Sequence, residues 1–478
     1  MNRYKTLAAN TVILGLGQFG SKVLVILMMG FYQAALGTNG YGEINTIIDT
    51  ATLLMSLATL SVGESLIRFG IDKAYDNKQV FSIGFRVTLC GVVCCMVFVP
   101  LTGLFTNIFP ENSVLKLLDE YAWLTVLYVC TGSFKSCCAL FVRSIGHVRL
   151  YAIDGILTTV MNILFNVVLL FGLKLGNIGY LMSVVLADIC SVIFLTVLAK
   201  LYRYLSLFRL DKGLMRSMLH FCIPMIPTSL MWWIINVSDR YMISGMISFD
   251  AGGIYKAASN FPSMISIFSG IFSQAWNMSA ITENNSGTIA RFYTNVFNIF
   301  QSTVYVIAGA LFVAIKPLVL IFCDEAFYVA YLSTPFIIMS VVFTCFSTFM
   351  GSVYVASKQS MHSLATATVG AVLNIALNIL FINLWGIDGA ALASFISFAV
   401  IFAVRAADTH HIIRMDLNLP KMIVNCALLM LMGVVIFTIQ DVRLYYPLLA
   451  LLFIIILGLN FRAGVQAIKM ITKKNIAE

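Results

Sequence analysis

Residues 161–179 of the chain read MNILFNVVLLFGLKLGNIG, and residues 373–389 follow the same plan as LNIALNILFINLWGIDG. Each stretch has two asparagines four residues apart, then a Leu-Phe pair, and ends in two glycines three residues apart. The asparagine pairs are offset by 212 residues and the glycine pairs by 210, so a gap of two residues aligns the copies. This pattern indicates an internal duplication of the chain.

The composition around these stretches excludes an ordinary water-soluble protein. The 478 residues are 60% hydrophobic and only 11% charged, and the mean hydropathy is +0.94. The net charge of +9 does not indicate nucleic-acid binding, because no aqueous segment is long enough to present a basic face. The histidines and cysteines have no metal-ligand spacing, so we predict no metal site.

Apolar segments of membrane-spanning length recur along the whole chain and predict an all-α polytopic membrane protein with about 14 transmembrane helices. The first is expected to be a retained helix rather than a signal peptide, because its apolar run is long and contains Lys22. The predicted spans are 11–32, 44–69, 81–104, 121–142, 153–171, 178–201, 218–242, 254–276, 292–315, 331–355, 364–384, 390–407, 423–439 and 445–461.

Six predicted helices separate the two copies of the duplication. Because six is even, both copies enter the membrane in the same direction, as in two-lobed transporters built from parallel repeats. We therefore expect an N-lobe at 1–205 (helices 1–6), a pseudo-symmetric C-lobe at 206–412 (helices 7–12), and two extra C-terminal helices, 13 and 14, with a cytoplasmic tail at 413–478. Such a plan favours alternating access around a central cavity, although a duplicated channel would also fit.

The basic residues predict the orientation of these helices. On the predicted topology, 22 of the 30 Lys and Arg residues lie on the side of the amino terminus and four lie on the other side. Because cytoplasmic loops are enriched in Lys and Arg, both termini are predicted to be cytoplasmic.

Several charged side chains fall within predicted spans, where each costs on the order of 3 kcal/mol. Such residues face a cavity, pair with a neighbour or reach the membrane surface. The cations are candidates for binding an anionic head group, and the acids are candidates for carrying a coupling ion. The cations are Lys22, Lys135, Arg240 and Lys256, and the acids are Glu64, Asp188 and Asp239.

The repeated asparagines, Asn162 with Asn166 and Asn374 with Asn378, have two interpretations. Side chains four residues apart share one face of a helix, where asparagine amides hydrogen-bond neighbouring helices and tighten packing. They could instead contact a substrate in the cavity. The packing interpretation is favoured, and the glycine turns are expected to be structural because short reversals need a positive φ.

Residues 239–243 (DRYMI) with 253–258 (GIYKAA), and residues 373–378 with 386–391 (GIDGAA), resemble the polysaccharide flippases of the O-antigen repeat-unit type. These belong to the multidrug, oligosaccharidyl-lipid and polysaccharide exporter superfamily. The resemblance covers about residues 10–408 and includes the helix count.

The resemblance implies a transporter in the bacterial cytoplasmic (inner) membrane that moves an undecaprenyl-diphosphate-linked oligosaccharide from the cytoplasmic to the outer leaflet. Lys22, Arg240 and Lys135 would meet the diphosphate or acidic sugars. Coupling to a gradient of H⁺ or Na⁺ is expected, with no bound cofactor, and no P-loop for ATP occurs. A polysaccharide polymerase and glycosyltransferases are the implied protein partners.

Three other functions remain open at the level of sequence. Lipid II flippases of peptidoglycan synthesis share the helix count and basic cavities. Multidrug or cation antiporters of the superfamily share the lobes but favour acidic cavities. A membrane glycosyltransferase or polymerase would need a catalytic constellation of carboxylates and histidines or a large aqueous loop, and neither is visible, so the chain is not expected to be an enzyme.

Overall fold

The computed structural model describes residues 3–72, 74–206, 211–282, 289–357, 359–439 and 441–476. All regular elements in these ranges are helices, which confirms the predicted all-α class. The chain divides into two compact units, residues 1–253 and 254–478. The first unit extends past the predicted lobe boundary at 205, and the boundaries of the lobes stay a prediction.

The first unit is built from ten helices and the start of an eleventh. They are α1 (Arg3–Thr59), α2 (Val62–Ile71), α3 (Asn77–Cys95), α4 (Phe98–Ile108), α5 (Ser113–Glu120), α6 (Ala122–Ser144), α7 (Val148–Asn166), α8 (Gly176–Leu198), α9 (Lys212–Cys222), α10 (Met225–Met246) and α11 (Phe249–Asn260). A π-helical segment, Val167–Gly172, continues α7. The core of the unit joins α2, α3, α6 and α9 through buried side chains such as Leu66, Phe141 and Met218.

The second unit contains the rest of α11 and six further helices. They are α12 (Ser263–Thr282), α13 (Ile289–Phe322), α14 (Ala330–Ala356), α15 (Ser360–His410), α16 (Leu419–Thr438) and α17 (Val442–Ile476). Its core is aromatic: Trp276 stacks on Phe349 with ring centroids 5.1 Å apart, and Phe300 stacks on Phe349 at 5.6 Å.

Eleven helical segments in the described ranges are long and apolar enough to span a membrane, so the chain is a multi-pass membrane protein. Two of the longest, α1 and α15, each contain a kink with non-helical backbone angles, at Gly37 and Gly386. Each of these helices corresponds to two of the predicted spans. The count of fourteen spans stays a prediction.

The first glycine of each duplicated pair has a positive φ, and the second lies close to a backbone carbonyl. Gly176 has φ +54° and Gly386 has φ +59°, a left-handed region that favours glycine. Three residues later, a Cβ on Gly179 would lie 2.9 Å from the carbonyl oxygen of Leu169, and a Cβ on Gly389 would lie 2.0 Å from that of Phe381. The glycines therefore allow a tight turn followed by close packing of the next helix, as expected from the sequence.

Four predicted spans are interrupted. The span at 44–69 breaks at Leu60 and Ser61, which both have positive φ. The span at 218–242 breaks between α9 and α10 at Pro224, which lacks the N–H that a continuous helix needs. The span at 81–104 breaks at residues 96–97, between α3 and α4. The span at 254–276 breaks around Pro262, between the end of α11 at Asn260 and the start of α12 at Ser263. Only the two proline breaks have a clear signal in the sequence.

Candidate functional site

The structure places Arg240 in an ion pair with an acid that the sequence analysis did not select. Arg240 Nη1 lies 3.1 Å from Asp49 Oδ2, and the two side chains are only 17% and 9% exposed. Lys22 is exposed and lies within electrostatic range of Arg240. Two of the predicted cations are thus brought together, and the single carboxylate of Asp49 balances one of their two positive charges.

The helix α10 presents Arg240 to the part of α1 that follows the Gly37 kink. Trp233 Nε1 donates a hydrogen bond to the backbone oxygen of Asp49 at 3.1 Å, and Tyr241 shares a hydrogen bond with Thr50. Arg240 Nη2 also donates to the backbone oxygen of Asn236 at 3.1 Å, one turn earlier in α10. The guanidinium is therefore fixed on both sides while it stays partly accessible.

Two cations and one carboxylate give this cluster a formal charge of +1. A positive charge in a membrane-spanning segment is costly unless an anionic group or water is near it. Arginine offers a planar fork of donors and lysine a compact charge, and together these suit the oxygens of a phosphate or diphosphate. The geometry can therefore bind an anionic head group.

Asp49 satisfied the same criterion as the acids that the sequence analysis selected. It lies five residues inside the predicted span at 44–69 and is 6% exposed. The signal in the sequence was its position in an apolar segment. What the sequence could not supply was its partner, because Asp49 and Arg240 are far apart in the chain.

A second charged cluster lies among α6, α7 and α8. Lys135 Nζ is 2.7 Å from Asp188 Oδ1. Asp154 accepts a hydrogen bond from Ser191 Oγ at 2.6 Å and lies within electrostatic range of both members of the ion pair. Lys135 is thus neutralised by Asp188, and the structure does not bring it to Arg240 through a direct contact.

The remaining charged candidates are Asp239, Glu64 and Lys256. Asp239 is 4% exposed in α10, next to Arg240 in the chain. Glu64 is exposed and lines a polar cavity at the start of α2. Lys256 is half-buried in α11 and belongs to the second compact unit.

The two asparagine pairs make the same contacts in both copies of the duplication. Asn166 Nδ2 donates to the backbone oxygen and the Oδ1 of Asn162, both at 2.8 Å. Asn378 Nδ2 donates to the same two atoms of Asn374, at 2.9 and 3.1 Å. Asn374 also donates to Ser394 Oγ at 3.3 Å across α15. The bonds of Asn166 and Asn378 stay within their own helices, and the packing interpretation stays a prediction.

Arg405 is a buried cation that was not among the candidate site residues of the sequence analysis. Its side chain is 1% exposed. It donates to Thr366 Oγ1 at 3.0 Å and to the backbone oxygen of Ser347 at 2.9 Å. These hydrogen bonds tie α14 to the two halves of α15, so Arg405 has a structural role in the second unit.

Solved transporters share this fold. The lipid II flippase MurJ in an inward closed conformation is 13% identical, with a TM-score of 0.68 over 96% of this chain and 99% of that chain. An outward-facing MATE multidrug transporter of the MOP superfamily is 14% identical, with a TM-score of 0.61 over 84% of this chain and 95% of that one. A MOP-superfamily transporter from Pyrococcus furiosus, described as having a binding pocket of reverse polarity, gives the same values.

At these identities the structures establish the fold alone. No curated protein matches the sequence. The family model described as polysaccharide biosynthesis protein matches residues 7–277, which is more than half of the chain. With the helical duplication, the membrane spans and the transporter fold, this match shows that the chain belongs to the polysaccharide biosynthesis protein family.

Proposed function

We propose that the protein is a flippase that moves an undecaprenyl-diphosphate-linked oligosaccharide across the bacterial cytoplasmic membrane by alternating access. The observation that carries the proposal is the cluster of Lys22, Arg240 and Asp49, which is partly accessible and has one positive charge in excess. The family and the fold support a lipid-linked sugar as the substrate and a two-lobed bundle as the machine.

The Asp49–Arg240 ion pair gives the cluster a way to respond to the substrate. A diphosphate can accept hydrogen bonds from the arginine fork and can displace the single carboxylate, because it offers more charge and more oxygens. Release of Asp49 would then loosen the contact between α1 and α10. In the proposed orientation this contact lies on the outer side, so its release would favour opening toward the outer leaflet.

The test removes both cations. Lys22→Ala combined with Arg240→Ala should abolish the surface polysaccharide while the protein still inserts in the membrane. Each charge-assisted hydrogen bond is worth about 1.5–3 kcal/mol, so each single variant should lose about tenfold or more in transport. A matched control replaces two exposed basic residues of α9, Lys212→Ala with Arg216→Ala, and should transport normally.

The same variants should be measured in proteoliposomes with purified lipid-linked substrates. An undecaprenyl-diphosphate oligosaccharide supports the proposal if it is flipped by the wild type and by the control but not by the double variant. Lipid II is the second candidate substrate, because the lipid II flippase fold matches 96% of this chain. Flipping of lipid II alone would replace the proposed substrate, and unchanged transport in the double variant would refute the site.

A further inference from the structure

A cavity of about 370 Å³ lies in the first unit, among α3, α6, α8 and the turn that follows α8. Its walls are aliphatic and aromatic side chains with two cysteines and two threonines. The rings of Phe85 and Phe134, with centroids 5.0 Å apart, join α3 to α6 in this wall. Thr131 donates its hydroxyl proton within its own helix, to a backbone oxygen at 3.2 Å. The volume is that of a small-ligand pocket, and the lining suits a hydrocarbon chain and not a sugar or an ion.

The cavity opens on the exposed face of α8. Ile189 and Ile193, one turn apart, both line it and are 38% and 57% exposed. The helix α8 is one of the segments that are long and apolar enough to span a membrane. The exposed apolar face of such a helix contacts the hydrocarbon chains of lipids, which are as apolar as leucine. Lipid chains of the bilayer can therefore enter the cavity from this face.

The turn after α8 closes one end of the cavity and is fixed to α3. It begins at Lys200, which has φ +53°, and continues as a short 3-10 helix, Leu201–Arg203. The N–H of Ser206 donates to Ser82 Oγ at 2.7 Å, and Arg86 Nη2 donates to the backbone oxygen of Ser206 at 3.2 Å. These bonds hold the turn on α3, so this end of the cavity is preformed.

Two basic side chains stand at the closed end. Lys200 and Arg203 are exposed, and neither forms an ion pair within the described ranges. Arg203 Cζ lies 5.9 Å from the ring centroid of Tyr202, which is itself a lining residue. Tyrosine and basic residues at the end of a spanning helix are typical of the level of lipid head groups. An apolar cavity with cations at one end has the polarity that complements an anionic lipid.

We propose that this cavity binds an acyl chain of an anionic phospholipid of the bilayer, whose phosphate is held by Lys200 and Arg203. Basic pockets between spanning helices on the cytoplasmic side bind acidic head groups, and the predicted topology puts this turn on that side. The bilayer is the source, because the cavity is reached from the exposed face of α8. The cations proposed for the transported lipid lie elsewhere, on α1 and α10. The proposal does not rest on the proposed function.

The experiment counts lipids on the purified full-length protein after it has been delipidated in detergent. Phosphatidylglycerol and phosphatidylcholine with identical acyl chains are added in turn, and native mass spectrometry measures binding. A phosphatidylglycerol with a photoactivatable acyl chain then locates the site. Wild type should bind one phosphatidylglycerol tightly, should crosslink it within residues 130–138 or 189–196, and should bind phosphatidylcholine more weakly.

Two variants separate the head group from the chain. Lys200→Gln with Arg203→Gln should weaken binding of phosphatidylglycerol roughly thirtyfold, because two attractive charges at the membrane surface are lost. It should leave phosphatidylcholine binding unchanged. Ile193→Trp puts an indole at the mouth of the cavity and should weaken the binding of both lipids and remove the crosslinks. Both changes are at exposed positions, so the variants should fold.

Matched controls repeat each change away from the cavity. Lys212→Gln with Arg216→Gln removes the same charge from exposed positions of α9, and Ile178→Trp makes the same exchange at an exposed residue near the start of α8. Both should bind lipid as the wild type does. Lys22→Ala with Arg240→Ala should also keep phosphatidylglycerol binding, which separates this proposal from the proposed substrate site.

Three results would overturn the proposal. The first is crosslinking only outside the cavity, or phosphatidylglycerol binding that survives in both cavity variants. The second is equal binding of the two phospholipids by the wild type, since the basic residues would then have no role. The third comes from undecaprenyl phosphate, added as a competitor: if it occupies the cavity and phosphatidylglycerol does not, the cavity belongs to the transported lipid.

Discussion

At the scale of single residues, the charges within the spans act in pairs. Lys135 and Asp188 were separate candidates in the sequence, one for substrate and one for an ion, and the structure places them 2.7 Å apart. A buried charge without its partner is far more costly than the pair. Each of the two residues therefore has a role in stability before any role in transport.

Loss of Asp188 alone should destabilise the first unit. Asp188→Asn leaves the Lys135 ammonium without its partner, and we expect a loss of about 2–3 kcal/mol. This is below the 3–5 kcal/mol of a fully buried pair, because Lys135 is 28% exposed. Lys135→Met with Asp188→Leu removes both charges and should recover most of the loss. Thermal unfolding in detergent checks the order of the three proteins, and a double variant less stable than Asp188→Asn would contradict the pairing argument.

The candidate site could be predicted from the sequence only in part. Lys22, Arg240 and Glu64 were identified because a charged side chain is costly in an apolar membrane span, so that its presence indicates a cavity, a partner or a function. The Asp49 partner of Arg240 and the burial of Arg405 could not be inferred, because both depend on which face of a helix meets another helix. The apolar composition of these helices gives little information about which face of each helix contacts its neighbours, since most sides of a membrane helix are hydrophobic.

At the scale of helices, the duplicated glycines set the turn between paired spans. Gly176 and Gly386 supply positive φ, and Gly179 and Gly389 let the next helix approach a backbone carbonyl. These features follow from the sequence, because glycine has a distinct backbone chemistry. The break at Leu60 and Ser61 does not follow from it, because nothing in a Leu-Ser pair favours a left-handed backbone, and packing of the surrounding helices must impose it.

The two copies of the close glycine contact should differ in their tolerance of a methyl group. Gly389→Ala places Cβ 2.0 Å from a carbonyl oxygen, whereas Gly179→Ala places it 2.9 Å away. Both contacts are with backbone, but the overlap at Gly389 is far larger, so we expect a loss of about 3 kcal/mol or more for Gly389→Ala and about 1 kcal/mol for Gly179→Ala.

Gly458→Ala is the matched control, since a Cβ there meets nothing within 4 Å and alanine favours the helix by about 0.4–1 kcal/mol. Unfolding temperatures of the three variants give the comparison. A Gly389→Ala protein as stable as Gly458→Ala would show that the turn can relax.

At the scale of the whole molecule, composition and periodicity were sufficient for the class and the fold. Apolar segments of spanning length cannot be anything but helices in a bilayer, because every backbone polar group must be satisfied within the segment. The duplication predicts a two-lobed plan, and solved transporters share the fold of the chain. The ends of the spans were less predictable, because mean hydropathy does not show where a helix kinks or breaks.

The asymmetry of basic residues predicts which side of the membrane each loop faces. Reporter fusions inside the chain test it: alkaline phosphatase, which is active outside the cytoplasm, and a fluorescent protein, which is active inside. Fusions at Asp76, Asp211 and Asp416 should fluoresce without phosphatase activity, and fusions at Lys174, Asp324 and Asp441 should show the reverse. The physical reason is that cytoplasmic loops retain Lys and Arg. Because the six positions alternate along the chain, a wrong span count would invert every fusion beyond the error, and that inversion would locate the miscounted helix.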